Sequence, residues 1–270
     1  MCLIVVGWQA HPDYPLVVAA NRDEFLVRPA VPAHWWADAP DLLAGRDLEA
    51  GGTWMGVSRS GRFAALTNYR DPTLHRPGAP SRGTLVRDCL TAGDDVQSRL
   101  DAVAAVSAGY AAFNLLVSDG KRLGIHESTT GVVRMLEPGV YGLSNHVLDT
   151  PWPKVRLARA RFAAALAQLP AHDAFLSLLR DNTPAPDHHL PETGVSAEWE
   201  RWLSPAFIRA PGYGTRCSTL IAVHRDGGVI FREWTWDAEG RLAGEVAHRF
   251  ALAGGMIHRF AAGSAATALR

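Results

Sequence analysis

The sequence predicts an α+β layered fold made of antiparallel sheets and separate groups of helices. Short β-prone runs are joined by turn signals into hairpins. Segments with helical apolar spacing gather in distinct stretches instead of alternating with strands, as a doubly wound parallel sheet would require. The composition, 47% hydrophobic and 20% charged over 270 residues, belongs to a globular chain that buries a large core. No linker-like stretch or internal repeat interrupts the pattern, so a single domain over residues 1–270 is expected.

Leu3 to Trp8 and Leu16 to Ala20 are rich in β-branched residues and flank a turn carrying Pro12, Asp13 and Pro15, which predicts a hairpin of buried strands. Thr53 to Ser58 and Arg62 to Asn68 make a second hairpin across Ser60-Gly61. The polar, proline-rich stretch from Tyr69 to Arg82 then reads as a functional loop. Gly83 to Thr91 and Asp94 to Ser107 place Leu85, Val86, Cys89, Leu90, Val96, Leu100, Val103 and Val106 at helical intervals, predicting two amphipathic helices. Strands resume at Phe113 to Val117, Arg122 to His126, Val132 to Met135 and Val140 to Leu143, separated by turns such as Asp119-Gly120 and Pro138-Gly139. Asp149 or Thr150 caps a helix with Pro151 near its first position, running through an alanine-rich segment to Leu169, and Asp173 to Leu179 follows as another. After the loop from Thr183 to Gly194, Glu198 to Leu203 forms a short helical turn. Cys217 to Val223, Val229 to Trp236 and Glu245 to Ala251 close the chain as antiparallel strands.

Charge and cysteine usage narrow the function. Basic and acidic residues balance at 27 each with no long run of one sign, so the electrostatic footprint of a nucleic-acid partner is missing and a small-molecule partner is expected. Cys2, Cys89 and Cys217 are odd in number and lack CxxC spacing, which argues against a disulfide framework and a zinc cage and for a reducing, cytoplasmic setting; no metal site is expected. Leu3-Ile4-Val5-Val6 is too short for a signal-peptide core, and no run of about 18 apolar residues predicts a membrane span. Gly51, Gly52 and Gly56 lack the strand, turn and helix order of a dinucleotide fingerprint.

Cys2 is the residue best placed for chemistry. A small residue at position 2 permits removal of Met1, which leaves a thiol and a free α-amine on one residue, a nucleophile with its own base. Asn21-Arg22-Asp23-Glu24 ends the second apolar run, and charged residues there belong at a rim or in a site. Antiparallel pairing of the first hairpin brings this tetrapeptide to Cys2, so that Arg22 favours the thiolate and a carboxylate holds the α-ammonium. Alternation puts Arg22 and Glu24 on one face and Asn21 and Asp23 on the other, which leaves open which carboxylate meets the amine. Asn68 and Asn145 offer amide donors at strand ends for a developing oxyanion, and Arg216 offers a cation for a substrate carboxylate or for orienting the thiol.

Met1-Cys2, Asn21-Arg22-Asp23-Glu24, Gly51-Gly52-Thr53-Trp54, Ala65 to Pro72, Ser81-Arg82-Gly83, Gly142 to His146, Thr150 to Lys154 and Gly214 to Thr219 together resemble the NRDE family, also called the transport-and-Golgi-organisation-2-like family. The blocks span most of the chain in the family's order. The resemblance implies a four-layer αββα sandwich of N-terminal nucleophile hydrolase type, with two antiparallel sheets flanked by helices. A weaker, local likeness to conjugated bile acid hydrolases and penicillin V acylases implies Cys2 as nucleophile, Arg22 and Asp23 as its neighbours, Asn68 and Asn145 as oxyanion or amine-holding groups, and Arg216 as the later arginine. Asn21, Glu24, Trp54, Tyr69, Arg70 and His146, within these blocks, are expected at the substrate. Those acylases space their arginine and aspartate three apart, whereas Arg22 and Asp23 are adjacent here.

Two activities follow as expectations. One is an N-terminal cysteine hydrolase or acyltransferase acting on a non-peptide amide or thioester through an acyl-Cys2 intermediate, with no cofactor required. The other is a non-catalytic carrier or chaperone for haem or an acyl lipid in the same pocket, in line with the haem trafficking that the resemblance implies. Trp35-Trp36, Trp199, Trp202, Trp234 and Trp236 offer aromatic walls for such a pocket, although packing is their commoner use, and His188-His189 stands out no more than the other histidines as an axial ligand.

Overall fold

The computed structural model describes residues 2–253. In chain order the strands are β1 (Cys2–Trp8), β2 (Leu16–Phe25), β3 (Ala30–Trp36), β4 (Ala39–Asp47), β5 (Met55–Ser58), β6 (Phe63–Asn68), β7 (Phe113–Ser118), β8 (Leu123–Glu127), β9 (Val132–Met135) and β10 (Gly139–Leu143). They continue as β11 (Arg209–Ala210), β12 (Tyr213–Val223), β13 (Gly228–Trp236) and β14 (Leu242–Ala251). The α-helices are α1 (Gly83–Thr91), α2 (Val96–Val106), α3 (Pro153–Leu166), α4 (Asp173–Leu179) and α5 (Ala197–Trp202). The strands build two seven-stranded sheets. One has the order β10-β1-β2-β12-β13-β14, with β11 beside β12, and the other runs β3 to β9 in sequence.

Side-chain alternation along the strands produces the layers. Ile4, Val6, Trp8, Val18 and Ala20 point from the first sheet into a core shared with Met55, Phe63 and Ala65 of the second. The intervening residues Leu3, Val5, Val17 and Ala19 point the other way, onto Phe162 of α3 and Phe175 of α4. Ala64, Leu66 and Leu115 of the second sheet similarly meet Val86 and Leu90 of α1 and Leu100 of α2. Both faces of the central strands are therefore apolar, which is why they read as continuous hydrophobic runs. The resulting order, helices, sheet, sheet, helices, is the αββα arrangement that the resemblance implied. No helix among the described residues is long and apolar enough to cross a membrane.

The structure corrects three expectations. The second strand does not stop at Ala20 but continues through Asn21 to Phe25, because β1 and β12 pair with it on both sides and partners within the fold satisfy its charges. Residues 30–47 form β3 and β4, which the sequence did not predict: Pro32 and Pro40 punctuate them and two register shifts break their alternation. The helix expected from Asp149 or Thr150 begins at Pro153, after an extended Trp152. Pro153 holds Trp152 out of the helical region, so a helix cannot run on from Pro151 and begins at Pro153 with Trp152 as its extended cap. The foreseen caps are used elsewhere, Asp149 accepting from the Gly142 N–H at 2.7 Å and Thr150 bonding His146 at 2.9 Å.

Candidate active site

Cys2 stands directly opposite Arg22 on β2, and Arg22 stands opposite Cys217 on β12, so the three side chains form a row on the face between the sheets. The row opens into a cleft of about 430 Å3 that is also lined by Glu24, Trp54, Asn68, Arg82 and Arg216. The pairing inferred for the first hairpin is thus observed, and with it the meeting of Cys2 and Arg22.

Arg22 and Arg28 share one carboxylate. Arg22 Nη2 lies 3.1 Å and Arg28 Nε 2.6 Å from Asp47 Oδ2, with Glu24 at 3.9 and 4.0 Å from the same two guanidinium nitrogens. Asp47 Oδ1 also accepts from the backbone of Glu49 and Ala50. Burial alone would raise the Asp47 carboxyl, but the Arg28 hydrogen bond, the Ala50 N–H and both guanidinium charges hold it below the usual range. Asp47 and Arg28 lie outside every block that carried the resemblance, and Asp47 sits in a strand that the pattern did not reveal.

All three cysteines are free thiols. Burial pushes the Cys2 thiol above its ordinary value and the Asp23 charge adds to this, while the charge of the chain's N-terminal amine, then Arg22 and the Asp23 N–H, pull it down. Burial likewise raises Cys217, which bonds to Glu233, and it carries Cys89 under α1 up to about 12. With Cys2 in peptide linkage, Arg22 offsets the burial only in part.

Asn21 and Asp23 face the helical layer, as alternation required. Asn21 donates to the carbonyls of Leu179 and Ala206 at 2.8 Å each and accepts from Ser218, which makes it a tie between β2 and the chain around α4. The Asp23 carboxylate accepts from Thr215 Oγ1 at 2.7 Å. Burial raises its pKa, and the Lys154 charge is the strongest influence opposing the rise. Lys154 is itself buried on α3, with Nζ 2.9 Å from the Leu203 carbonyl, and burial lowers it to about 7. Arg70 pairs with Glu200 at 2.5 Å and stacks over Trp152. A polar layer with two cations and two carboxyls therefore lies on the side of β2 away from the thiol. Lys154 closes one of the sequence blocks, yet its role was invisible without the fold.

Asn68 reaches the cleft, but Asn145 does not. The Asn145 side-chain amide donates to the Asn68 carbonyl at 2.9 Å, and the Asn145 backbone carbonyl accepts from the Arg70 N–H at 2.7 Å, so Asn145 fixes the end of β6. Of the residues expected at a substrate, Glu24 and Trp54 line the cleft. Asn21, Tyr69, Arg70 and His146 do not: Asn21 and Arg70 are engaged as above, and Tyr69 and His146 pack ring on ring at 4.9 Å. Arg216 lies at a bulge in β12, where the register shifts between Thr215 and Cys217, and this places it at the cleft. Arg82, not singled out from the sequence, reaches the same cleft, because Gly52 and Gly83 let the loop before β5 rest on the start of α1.

Only Trp54 of the nine tryptophans lines the cleft. Trp36, Trp234 and Trp236 are core residues, Trp35 packs on Phe250 beneath Arg59, Trp199 packs on Tyr213, and Trp202 is exposed. The aromatic walls considered for a haem pocket are thus dispersed.

Comparison with known proteins bears on most of the chain. The family described as Transport and Golgi organisation 2 matches residues 1–238. The Transport and Golgi organization protein 2 homolog of Bos taurus is 37% identical over 262 residues, 86% of this chain and 92% of the relative. The Homo sapiens homolog is 35% identical at the same coverage, and the Drosophila melanogaster protein is 28% identical over 87% and 92%. A solved structure, the Caenorhabditis elegans N-acylethanolamine-hydrolyzing acid amidase ortholog, superimposes with a TM-score of 0.49 at 10% identity, covering 82% of this chain and 92% of that one.

Proposed function

The chain belongs to the Transport and Golgi organisation 2 family, and from that premise we propose that it is an N-terminal cysteine hydrolase or acyltransferase acting on a non-peptide amide or thioester. The observation that carries this reading is the placement of Cys2 at the start of β1, opposite Arg22 and open to the cleft. Met1 lies outside the described residues, and its removal is part of the proposal. The freed α-amine takes the thiol proton, and the thiolate attacks the substrate carbonyl carbon to form a C–S bond. The C–N or C–S bond of the leaving group then breaks, the α-ammonium returns its proton to that group, and water or a second nucleophile releases the acyl group from Cys2. In this reading Asp23, next to Arg22 on β2 and held by Thr215, is the carboxyl that steadies the freed Cys2 amine. Glu24 is already shared between Arg22 and Arg28. Asn68 supplies the amide for the oxyanion, with Asn145 holding its backbone.

The apolar wall of Val31, Pro32, Trp54 and Leu66 suits an acyl chain, which also favours carriage of an acyl lipid as a second reading. Haem fits the residues poorly. The potential axial donors at the cleft are exposed His75 and two buried thiols whose pKa values are raised, and a protonated thiol is a weak ligand.

Intact mass of the protein purified from its own host, before and after brief treatment with iodoacetamide, tests the enzyme reading. Loss of Met1 is expected, with Cys2 alkylated before Cys89 and Cys217, and incubation with an acyl thioester should leave an acyl adduct that Cys2→Ala abolishes. Retention of Met1 would overturn self-activated acyl chemistry and leave the carrier reading.

A further inference from the structure

The cleft is lined by more arginines than acids, the acids being Asp23, Glu24, Asp47 and Glu233. Arg22, Arg28, Arg46, Arg76, Arg82 and Arg216 line it. Arg22 and Arg28 are paired with Asp47 and Glu24, and Arg46 with Asp38. Arg82 and Arg216 have no carboxylate within ion-pair distance among the described residues. Arg82 Nη1 donates to the Ala112 carbonyl at 2.9 Å, and Arg216 Nη1 to the carbonyls of Phe25 and Arg28 at 2.9 and 3.0 Å. Those bonds aim the two guanidinium groups, and Glu24, outside ion-pair distance of both, is the carboxylate whose charge reaches them. One arrives from the chain entering α1 and the other from the β12 bulge, so two different layers bring like charges to one cavity. At the Cys2 row of the same cleft, Arg22 Nη1 is buried with no hydrogen-bond partner among the described residues. Like charges gathered in a partly buried cleft oppose folding unless a ligand of opposite sign uses them, and the planar guanidinium fork matches an oxyacid.

The geometry points to an anion subsite formed by Arg82 and Arg216, with Arg22 Nη1 at its floor, which selects acyl substrates carrying a carboxylate or phosphate beside the scissile bond. This rests on the acyl-transfer reading for the position of the scissile bond and narrows the substrate class from amides and thioesters in general to anionic ones. The acyl chain then lies along Trp54 and Leu66, with the charged end between the arginines. Burial lowers the Arg82 pKa while a charge on Cys2 raises it, which agrees with a cation close to the reacting sulfur.

Calorimetric titration of the full-length Cys2→Ala protein measures the subsite without turnover. The probes are N-octanoylglycine, its uncharged methyl ester and N-octanoylethanolamine phosphate. At least one anionic probe is expected to bind about tenfold or more tighter than the ester. Which of the two does so tells whether carboxylate or phosphate is the natural group. Arg82→Gln and Arg216→Gln should each erase the preference while leaving ester affinity unchanged, and Arg82→Lys should restore part of it. Equal affinity for all three probes, no binding of either anion, or a preference that survives both glutamine variants overturns the subsite. Failure of the acyl-transfer reading shows separately, as an absent acyl-Cys2 adduct in the wild type while the binding preference stands.

Discussion

At the scale of single residues, the site depends on one shared acid. Asp47 bonds Arg22 and Arg28 through Oδ2 and the backbone of its own loop through Oδ1. Removing it leaves Arg22 with only the more distant Glu24, and Arg28 with Glu24 and the exposed Glu49. Asp47→Ala is expected to lower stability by about 2 to 3 kcal/mol, measured by urea unfolding, because it strips the partner from partly buried charges. Arg22→Met in the Asp47→Ala background should recover part of that loss, and a double variant no more stable than Asp47→Ala would show that the loop bonds, not the ion pairs, carry the cost. The linkage has a sign in pH as well. The Asp47 carboxyl is held below its unfolded value, so its contribution is present above that value and disappears as pH falls through the folded one.

At the scale of elements, the blocks work by bringing backbones together. A Cβ on Gly52 would stand 2.6 Å from the Gly83 carbonyl carbon and 2.9 Å from its Cα, so the loop before β5 touches the first turn of α1 backbone to backbone. Gly52→Ala is expected to cost about 1 to 3 kcal/mol by urea unfolding and to displace Arg82 from the cleft. Unchanged stability together with unchanged anion preference in the Cys2→Ala background would refute that coupling. Elements with one pattern were legible from sequence: α1, α4 and β9 lie where apolar spacing and turn residues put them, and the β1–β2 hairpin followed from its β-branched runs. Elements whose stability comes from distant partners were not. β2 outlasts its apolar run because β12 pairs along it as far as Phe25, and β3 carries Trp35 and Trp36 under Arg59 and Arg46, contacts that no local period announces. The site divides in the same way. Cys2 and Arg22 were readable because a hairpin is local, whereas Arg82 needed the approach of Gly52 to Gly83, and Asn145 was misjudged because its partner, the Asn68 carbonyl, comes from the other sheet.

At the scale of the whole molecule, the four layers place charge on both sides of β2, with the cleft on one and Asp23, Lys154, Arg70 and Glu200 on the other. Burying Lys154 between the first sheet and its helices is unfavourable for the ammonium, which is why its pKa falls from 10.5 to about 7 despite the nearby acids. Across that window the unfolded chain binds a proton that the folded protein does not, so stability rises with pH from about 7 and levels off near 10.5. Replacing Lys154 with methionine, an apolar side chain of similar length, removes this dependence. The urea midpoint of the wild type relative to Lys154→Met should therefore climb between about pH 8 and about pH 9. Taking the difference cancels the opposing trend from the buried thiols, whose raised pKa values cost stability as the unfolded cysteines ionise. Parallel curves for the two proteins would mean that Lys154 stays protonated in the fold and that its charge reaches Asp23 at every working pH. A climbing difference would instead show that Lys154 gives up its proton in the fold well below its unfolded value, leaving Arg70 as the cation that faces Asp23.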